Sequence, residues 1–202
     1  MNYIDLTMPL TPSTPVYPGD PMVEVTVAAE LETDGYLDHL LKLGTHNGTH
    51  IDAPAHMVAG GKLLPAYSID RFVGPGKVVD VREGFTSQAL EAANIQPGDI
   101  VLFYTGKSEQ FDAPDYYTDY LAVTDEAAEF VVNKGAKMVG VDTGSVDHEP
   151  FSVHKKLLGN DVLIIENLVN LGQLVGKEFT VFALPLNLAV EGSPARVIAQ
   201  IV

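Results

Sequence analysis

The spacing of apolar positions divides the chain into segments of different period. Residues 23–29 alternate apolar and polar side chains, the period-2 pattern of a strand, and a second apolar segment over 39–43 runs into Gly44. From Gly76 onward the period switches back and forth. KVVDV (77–81) predicts a strand, SQALEAANI (87–95) a helix, and QPGDIVLFYT (96–105) a turn at Pro97 and Gly98 followed by a buried strand. Thr124 is placed to cap the helix DEAAEFVVN, with Gly135 available for the left-handed position beyond its end. AKMVGVDTG then reads as a continuous apolar strand that ends in polar residues, where α/β proteins commonly place function. Ser152 predicts the cap of a short helix through Leu158 that stops at Gly159, and three more apolar strands follow: DVLIIENL, FTVFALPL and ARVIAQIV. The alternation of strands and helices implies an α/β fold. The Pro- and Thr-rich residues 1–22 favour an extended arm over a helix.

Composition narrows the chemistry. A chain of 202 residues with no internal repeat or composition break predicts one domain over 1–202. Twelve basic against 27 acidic side chains give a formal charge of −15, which repels phosphate backbones and anionic lipid heads, so neither nucleic acid nor membrane is an expected partner. With no cysteine, any metal site must use His, Asp, Glu and carbonyl oxygen. The N-terminal stretch has no basic run followed by an apolar core, and a cytoplasmic location is the expectation.

The candidate chemistry concentrates in GTHNGTHIDAPAH. His46, His50, Asp52 and His56 are separated by even intervals, so on an extended chain they project to one face. A straight strand would hold His46 and Asp52 about 20 Å apart, too far to share an ion with bonds of about 2.0–2.2 Å. The backbone must therefore curve, and Gly48 and Pro54 permit it. Imidazole and carboxylate are the ligands that zinc and similar borderline ions take when thiolate is absent, and three ligands from one segment leave open positions suited to catalysis. The bland alternative is a turn-rich loop of hydrogen-bonded histidines. Further ligand candidates are His154, in the short helix, and Glu166, at the polar end of LIIEN. Of the other histidines, His39 reads as structural and His148, in the turn SVDHEP, as a pocket-lining candidate. Asp142 and Asp147 are candidates either to orient ligand imidazoles or to cap their own turn.

The motif HxGTHxDxPxH, standing here as His46 to His56, resembles the signature of the cyclase-type metal-dependent hydrolases that include bacterial kynurenine formamidase. PGDP at 18–21, PGDIVLFYTG at 97–106, GVDTGSVD at 140–147, HKKLLGNDVLIIENL at 154–168 and GSPARVIA near the C-terminus carry the resemblance over nearly the whole chain. It implies a single α/β domain with a central β-barrel-like mixed sheet and flanking helices. It further implies that His46, His50 and Asp52 bind a first divalent ion, that Asp52, His154 and Glu166 hold a second, and that His56 is the catalytic base. Zinc is the metal it implies first, with manganese as the alternative. The assembly it implies is a homodimer or higher homo-oligomer in which the N-terminal arm helps to shape the neighbour's pocket. Tyr104, Lys107 and Met57 depart from the family pattern at substrate-side positions.

The expected reaction is hydrolysis of a small-molecule aryl formamide of the N-formylkynurenine type, as in tryptophan catabolism, with His56 as general base and then acid. Tyr17, Phe72 and Tyr104 are candidate walls for a flat aromatic substrate. The alternatives are a hydrolase of a cyclic amide such as isatin, or of a lactone, and a metal-binding protein without turnover.

Overall fold

A computed structural model describes residues 2–202. The N-terminal segment contributes β1 (Asn2–Asp5), then β2 (Glu24–Ala29) and β3 (Asp38–Lys42), an antiparallel pair joined through the one-turn helix α1 (Leu31–Asp34). The short strand β4 (His50–Asp52) lies within the histidine segment. The alternating part of the sequence folds as β5 (Val73–Asp80), α2 (Ser87–Ala92), β6 (Ile100–Tyr104), α3 (Asp125–Asn133), β7 (Met138–Val141), α4 (Ser152–Gly159) and β8 (Leu163–Glu166). The chain ends in β9 (Phe179–Pro185) and the ten-residue β10 (Gly192–Ile201).

Strands β5 to β8 are neighbours in that order and parallel. β4 adds antiparallel to β8, β10 to β4, β9 to β10, and β9 to β5, so seven strands close on themselves, with β1 attached outside along β10. Closure removes the exposed edges that an open sheet would present. The result is a single α/β domain built on a mixed β-barrel with flanking helices, as the resemblance implies.

Side-chain parity sorts two cores. Ile100, Leu102 and Tyr104 of β6, Leu163 and Ile165 of β8 and Ile51 of β4 join the core within the barrel. Val101, Phe103 and Ile164, one residue out of phase, pack instead against Ala127, Val131 and Leu157 of α3 and α4. Each parallel strand is thus apolar on both faces, the reason for its continuous apolar run.

The predicted N-cap of α3 is observed: the Thr124 hydroxyl accepts from the Ala127 N–H at 3.1 Å, and Gly135 takes φ +75° beyond the end. α2 stops three residues short of the predicted end, and Asn94 turns the chain at φ +48°. The cap predicted at Ser152 is a correction. Ser152 is already the first helical residue, with its hydroxyl directed to Asp125, and the α4 N-terminus is capped instead by Asp147 from upstream. Among the described residues the β2–β3 pair forms a separate two-stranded sheet, and Val27, Leu40 and Leu41 on it are 54, 63 and 59% exposed. No helix of the described residues is long and apolar enough to cross a membrane.

Candidate metal centre

The histidine segment turns twice within eleven residues. Residues 44–49 form turns that include Gly48 at φ +64°, β4 runs for three residues, and Pro54 opens a single 3-10 turn over Pro54–His56. Gly48 suits a left-handed conformation that side chains disfavour, and Pro54 sits at the helical position that needs no N–H. The curvature brings the His46 and His56 rings to 4.1 Å between centroids. Thr49 anchors the segment: its hydroxyl donates to the Asn167 carbonyl at 2.6 Å and accepts from the Met8 N–H at 2.8 Å.

Register assembles the rest. His50 pairs with Glu166 across β4 and β8, and Pro194 and Gly192 of β10 stand opposite His50 and Asp52. Since Ile51 and Ile165 point into the barrel, His50, Asp52 and Glu166 emerge on its outer face, where His154 arrives from the first turn of α4. The five proposed ligands therefore meet at one place. His46 Nδ1 lies 2.7 Å from Asp52 Oδ1, and His50 Nε2 lies 3.3 Å from the same oxygen and 3.5 Å from Glu166 Oε2. His154 Nε2 stands 3.2 Å from Glu166 Oε1 and 3.9 Å from Asp52 Oδ2.

Asp52 Oδ2 is buried with no hydrogen-bond partner among the described residues, a costly arrangement for an anion unless a cation completes it. Two groups of ligand atoms lie within 4.8 Å of one another: His46, Asp52 and His56, and His50, Asp52 and Glu166. Asp52 belongs to both, as a bridging carboxylate would. The grouping differs from the sequence expectation: His56 joins His46, His50 joins Glu166, and His154 stands beside Glu166 outside both groups. The residues fit a divalent-metal centre.

The electrostatics of the protein alone fit the same account. Burial disfavours charge on His46, yet Asp52 outweighs it and holds the imidazole up at about 9. His154, likewise opposed by burial, is raised to about 10 by Asp147 and Glu166. Burial of Asp52 is overcome by His50 and His46, which hold its carboxyl well below the usual range. The protein thus gathers protons where a divalent cation would displace them. His56 behaves in the opposite sense: burial lowers it, and its ring forms no hydrogen bond to the described residues.

A cavity of about 210 Å³ opens over these side chains, lined also by Tyr17, Asp20, Met57, Tyr117 and Phe151. Tyr17 lines it. Phe72 and Tyr104 do not, which corrects the sequence reading: both are buried in the barrel core, Tyr104 on the same strand parity as Ile100 and Leu102. Their aromatic surface is spent on packing, and the Tyr104 hydroxyl is taken by Glu109 at 3.0 Å. His148 stacks on Tyr120 at 4.2 Å between centroids and does not line the cavity. Asp142 accepts from Thr105 and Gly106 and braces the end of β6. Glu191, 3.4 Å from His46 Nε2, was not indicated by any sequence signal, since only the β4–β10 pairing brings it near.

The family model described as "Putative cyclase" matches residues 4–148. The chain belongs to the cyclase family. Kynurenine formamidase of Bacillus mycoides (strain KBAB4) is 32% identical over 98% of this chain and 97% of its own length. Among solved structures, a potential metal-dependent hydrolase with cyclase activity is 31% identical, covers 98% of this chain and 96% of its own, and superposes with a TM-score of 0.82. Isatin hydrolase A from Labrenzia aggregata, solved with benzyl benzoate, is 25% identical over 100% of this chain and 93% of its own, with a TM-score of 0.89. Together with the site, these relatives make this cyclase-family chain a hydrolase.

Proposed function

We propose that the chain hydrolyses the amide of an aryl formamide of the N-formylkynurenine type, releasing formate and the arylamine. The observation that carries the reading is the pairing of an orphaned buried carboxylate oxygen, on Asp52, with the neighbouring imidazole of His56, whose pKa burial lowers and which lines the cavity above that carboxylate. The near full-length match to kynurenine formamidase supports the choice of substrate.

His46, His50, Asp52 and Glu166, with His154 beside Glu166, would hold the metal, taken as two divalent ions that both draw on Asp52, with zinc favoured by the imidazole-rich set and manganese compatible with it. A divalent cation supplies a Lewis acid and renders water acidic enough to attack at neutral pH. The protein's own residues do the remainder. His56, neutral and unengaged, takes a proton from the attacking water at a ring nitrogen. As the C–N bond breaks, it returns that proton to the departing nitrogen, so the amine leaves neutral and the formic acid formed releases its own proton to solvent as formate. Tyr17 and Phe151 offer aromatic surface to the substrate ring. The exposed apolar side chains of the β2–β3 pair support assembly as a homodimer or larger, while the N-terminal arm, expected to shape a neighbour's pocket, packs against its own chain's cavity through Tyr17.

The second reading, opening of a cyclic amide, is favoured by the isatin hydrolase fold match. A panel of N-formylkynurenine, isatin and simple lactones, assayed with the metal identified by mass spectrometry, separates the two. The formamide should be the best substrate, and a higher kcat/KM on isatin would overturn the choice. In the same assay His56→Ala should keep its metal and lose turnover by about 10²-fold or more. Loss of the metal in that variant would make His56 a ligand instead, as its place beside His46 and Asp52 also allows.

A further inference from the structure

Asp147 lies outside the ligand set, in the turn between β7 and α4, and its two carboxylate oxygens have separate partners. Oδ2 accepts from the main-chain N–H of Val153 at 2.7 Å and of His154 at 3.3 Å. These are donors that the first turn of a helix leaves without intrahelical acceptors, and Phe151, which enters α4 at φ +61°, gives no side-chain cap. Oδ1 lies 2.5 Å from His154 Nδ1. An ionised carboxylate only accepts, so Nδ1 must carry the hydrogen of that bond. The proton that a cation displaces from this ring is therefore the one on Nε2, the nitrogen that faces Glu166 and Asp52.

His50 reaches the same state by another route, its Nδ1 lying 2.8 Å from the Gly48 carbonyl oxygen. There the acceptor is main chain and no substitution can remove it. At His154 the acceptor is a side chain that also holds the start of the helix. We infer that Asp147 is the positioning residue for His154: its carboxylate fixes the ring plane and tautomer that turn Nε2 toward the metal centre, and ties that ring to the α4 N-terminus. The inference rests on the reading of His154 as a ligand.

Asp147→Asn tests it. The amide oxygen can still cap α4, while the amide nitrogen is a donor and favours a bare Nδ1, which sends the remaining hydrogen of a neutral ring to Nε2. Zinc affinity of the metal-stripped variant, measured by competition with a chromogenic chelator, should fall about 10- to 100-fold. The melting temperature of the metal-free variant should stay within a few degrees of wild type. Asp147→Glu, which restores an acceptor, should recover part of the affinity. In a His154→Ala background the Asp147→Asn change should cost no further affinity, because the residue acts through that ring. An Asp147→Asn protein that binds zinc as tightly as wild type, or an undiminished loss in the His154→Ala background, overturns the role.

A measurement on the unmutated protein is independent of how the variants fold. Ring-nitrogen NMR of the zinc-loaded wild type should show His154 with hydrogen on Nδ1 and the metal on Nε2, and the reverse assignment overturns the inference. A wild type that takes up no divalent ion overturns the metal centre and this role with it. A wild type that binds while the variant binds equally well overturns the role alone.

Discussion

Gly192→Ala is a test of whether strand register, and not only ligand identity, builds the centre. Gly192 opens β10 directly opposite Asp52, and a Cβ there would stand 2.6 Å from His46 Cε1, 3.0 Å from Nε2 and 3.1 Å from Nδ1. Carbon atoms in contact settle about 3.5–4.0 Å apart, so the His46 ring must retreat by roughly 1 Å. It cannot do so and keep its 2.7 Å approach to Asp52 Oδ1. Because His46 is partly exposed, the ring can swing outward, and the fold should survive at an overpacking cost of about 1–3 kcal/mol. For a domain of this size that is a fall in melting temperature of about 2–12 °C. Metal ligation is less tolerant, since productive distances lie within about 0.2 Å of their ideal values. Zinc affinity should therefore drop at least about tenfold, equivalent to about 1.4 kcal/mol. Calorimetric titration of the stripped protein and scanning calorimetry measure both. Gly159→Ala, where a Cβ meets nothing within 4 Å, is the control and should leave zinc binding unchanged. A Gly192→Ala protein with wild-type affinity and melting temperature would refute the argument that β10 walls the centre.

Asp52→Ala should abolish uptake of both ions, because its carboxylate belongs to both ligand groups; full metal occupancy by mass spectrometry would remove its bridging role. In the metal-free protein, His46 and His154 stand at about 9 and about 10, above the ordinary imidazole value. A raised folded-state value contributes stability that is complete below about pH 6.5 and disappears as pH rises through the folded values. The melting temperature of the stripped protein should thus decline between about pH 6.5 and pH 10, with the zinc-loaded protein losing less, and a flat profile for the stripped form would contradict the charge assignment. Leu41→Asp on the exposed face of β3 should convert a homodimer to monomer in light scattering; an unchanged mass would place the interface elsewhere.

The parallel half of the barrel could be read along the chain because its information is local: an apolar run, a capped helix, a glycine stop, then the next run. Closure could not. β10 pairs with β4 over three residues, with β9 over seven and with β1 over four, and none of these long-range registers leaves a periodic mark on the sequence. Glu191 and Gly192 acquire their places from that closure, so their roles at His46 emerge only in three dimensions. Asp147 was visible as a candidate orienter, but its capping of α4 was not, because the expected signal, a Ser before the helix, pointed to Ser152.

The histidine segment shows both the reach and the limit of parity arguments. Even spacing placed His50 and Asp52 on one face of β4, and they do alternate with Ile51. His46 and His56 arrive by a different mechanism, the turns on either side of the strand, and the same even spacing would have carried them away along a straight chain. Parity also decides Tyr104. It follows Ile100 and Leu102 at intervals of two, so once β6 is a wall of a closed barrel its ring must point inward, opposite to the face that carries Asp52 and Glu166. An aromatic residue on a buried strand is a candidate for a substrate wall only if its phase matches that of the catalytic side chains. Tyr17 meets the cavity because it lies on the irregular N-terminal arm, where no sheet phase constrains it. The catalytic face is thus set by the outward-pointing residues of β4 and β8, while α4 and the arm supply what those strands cannot.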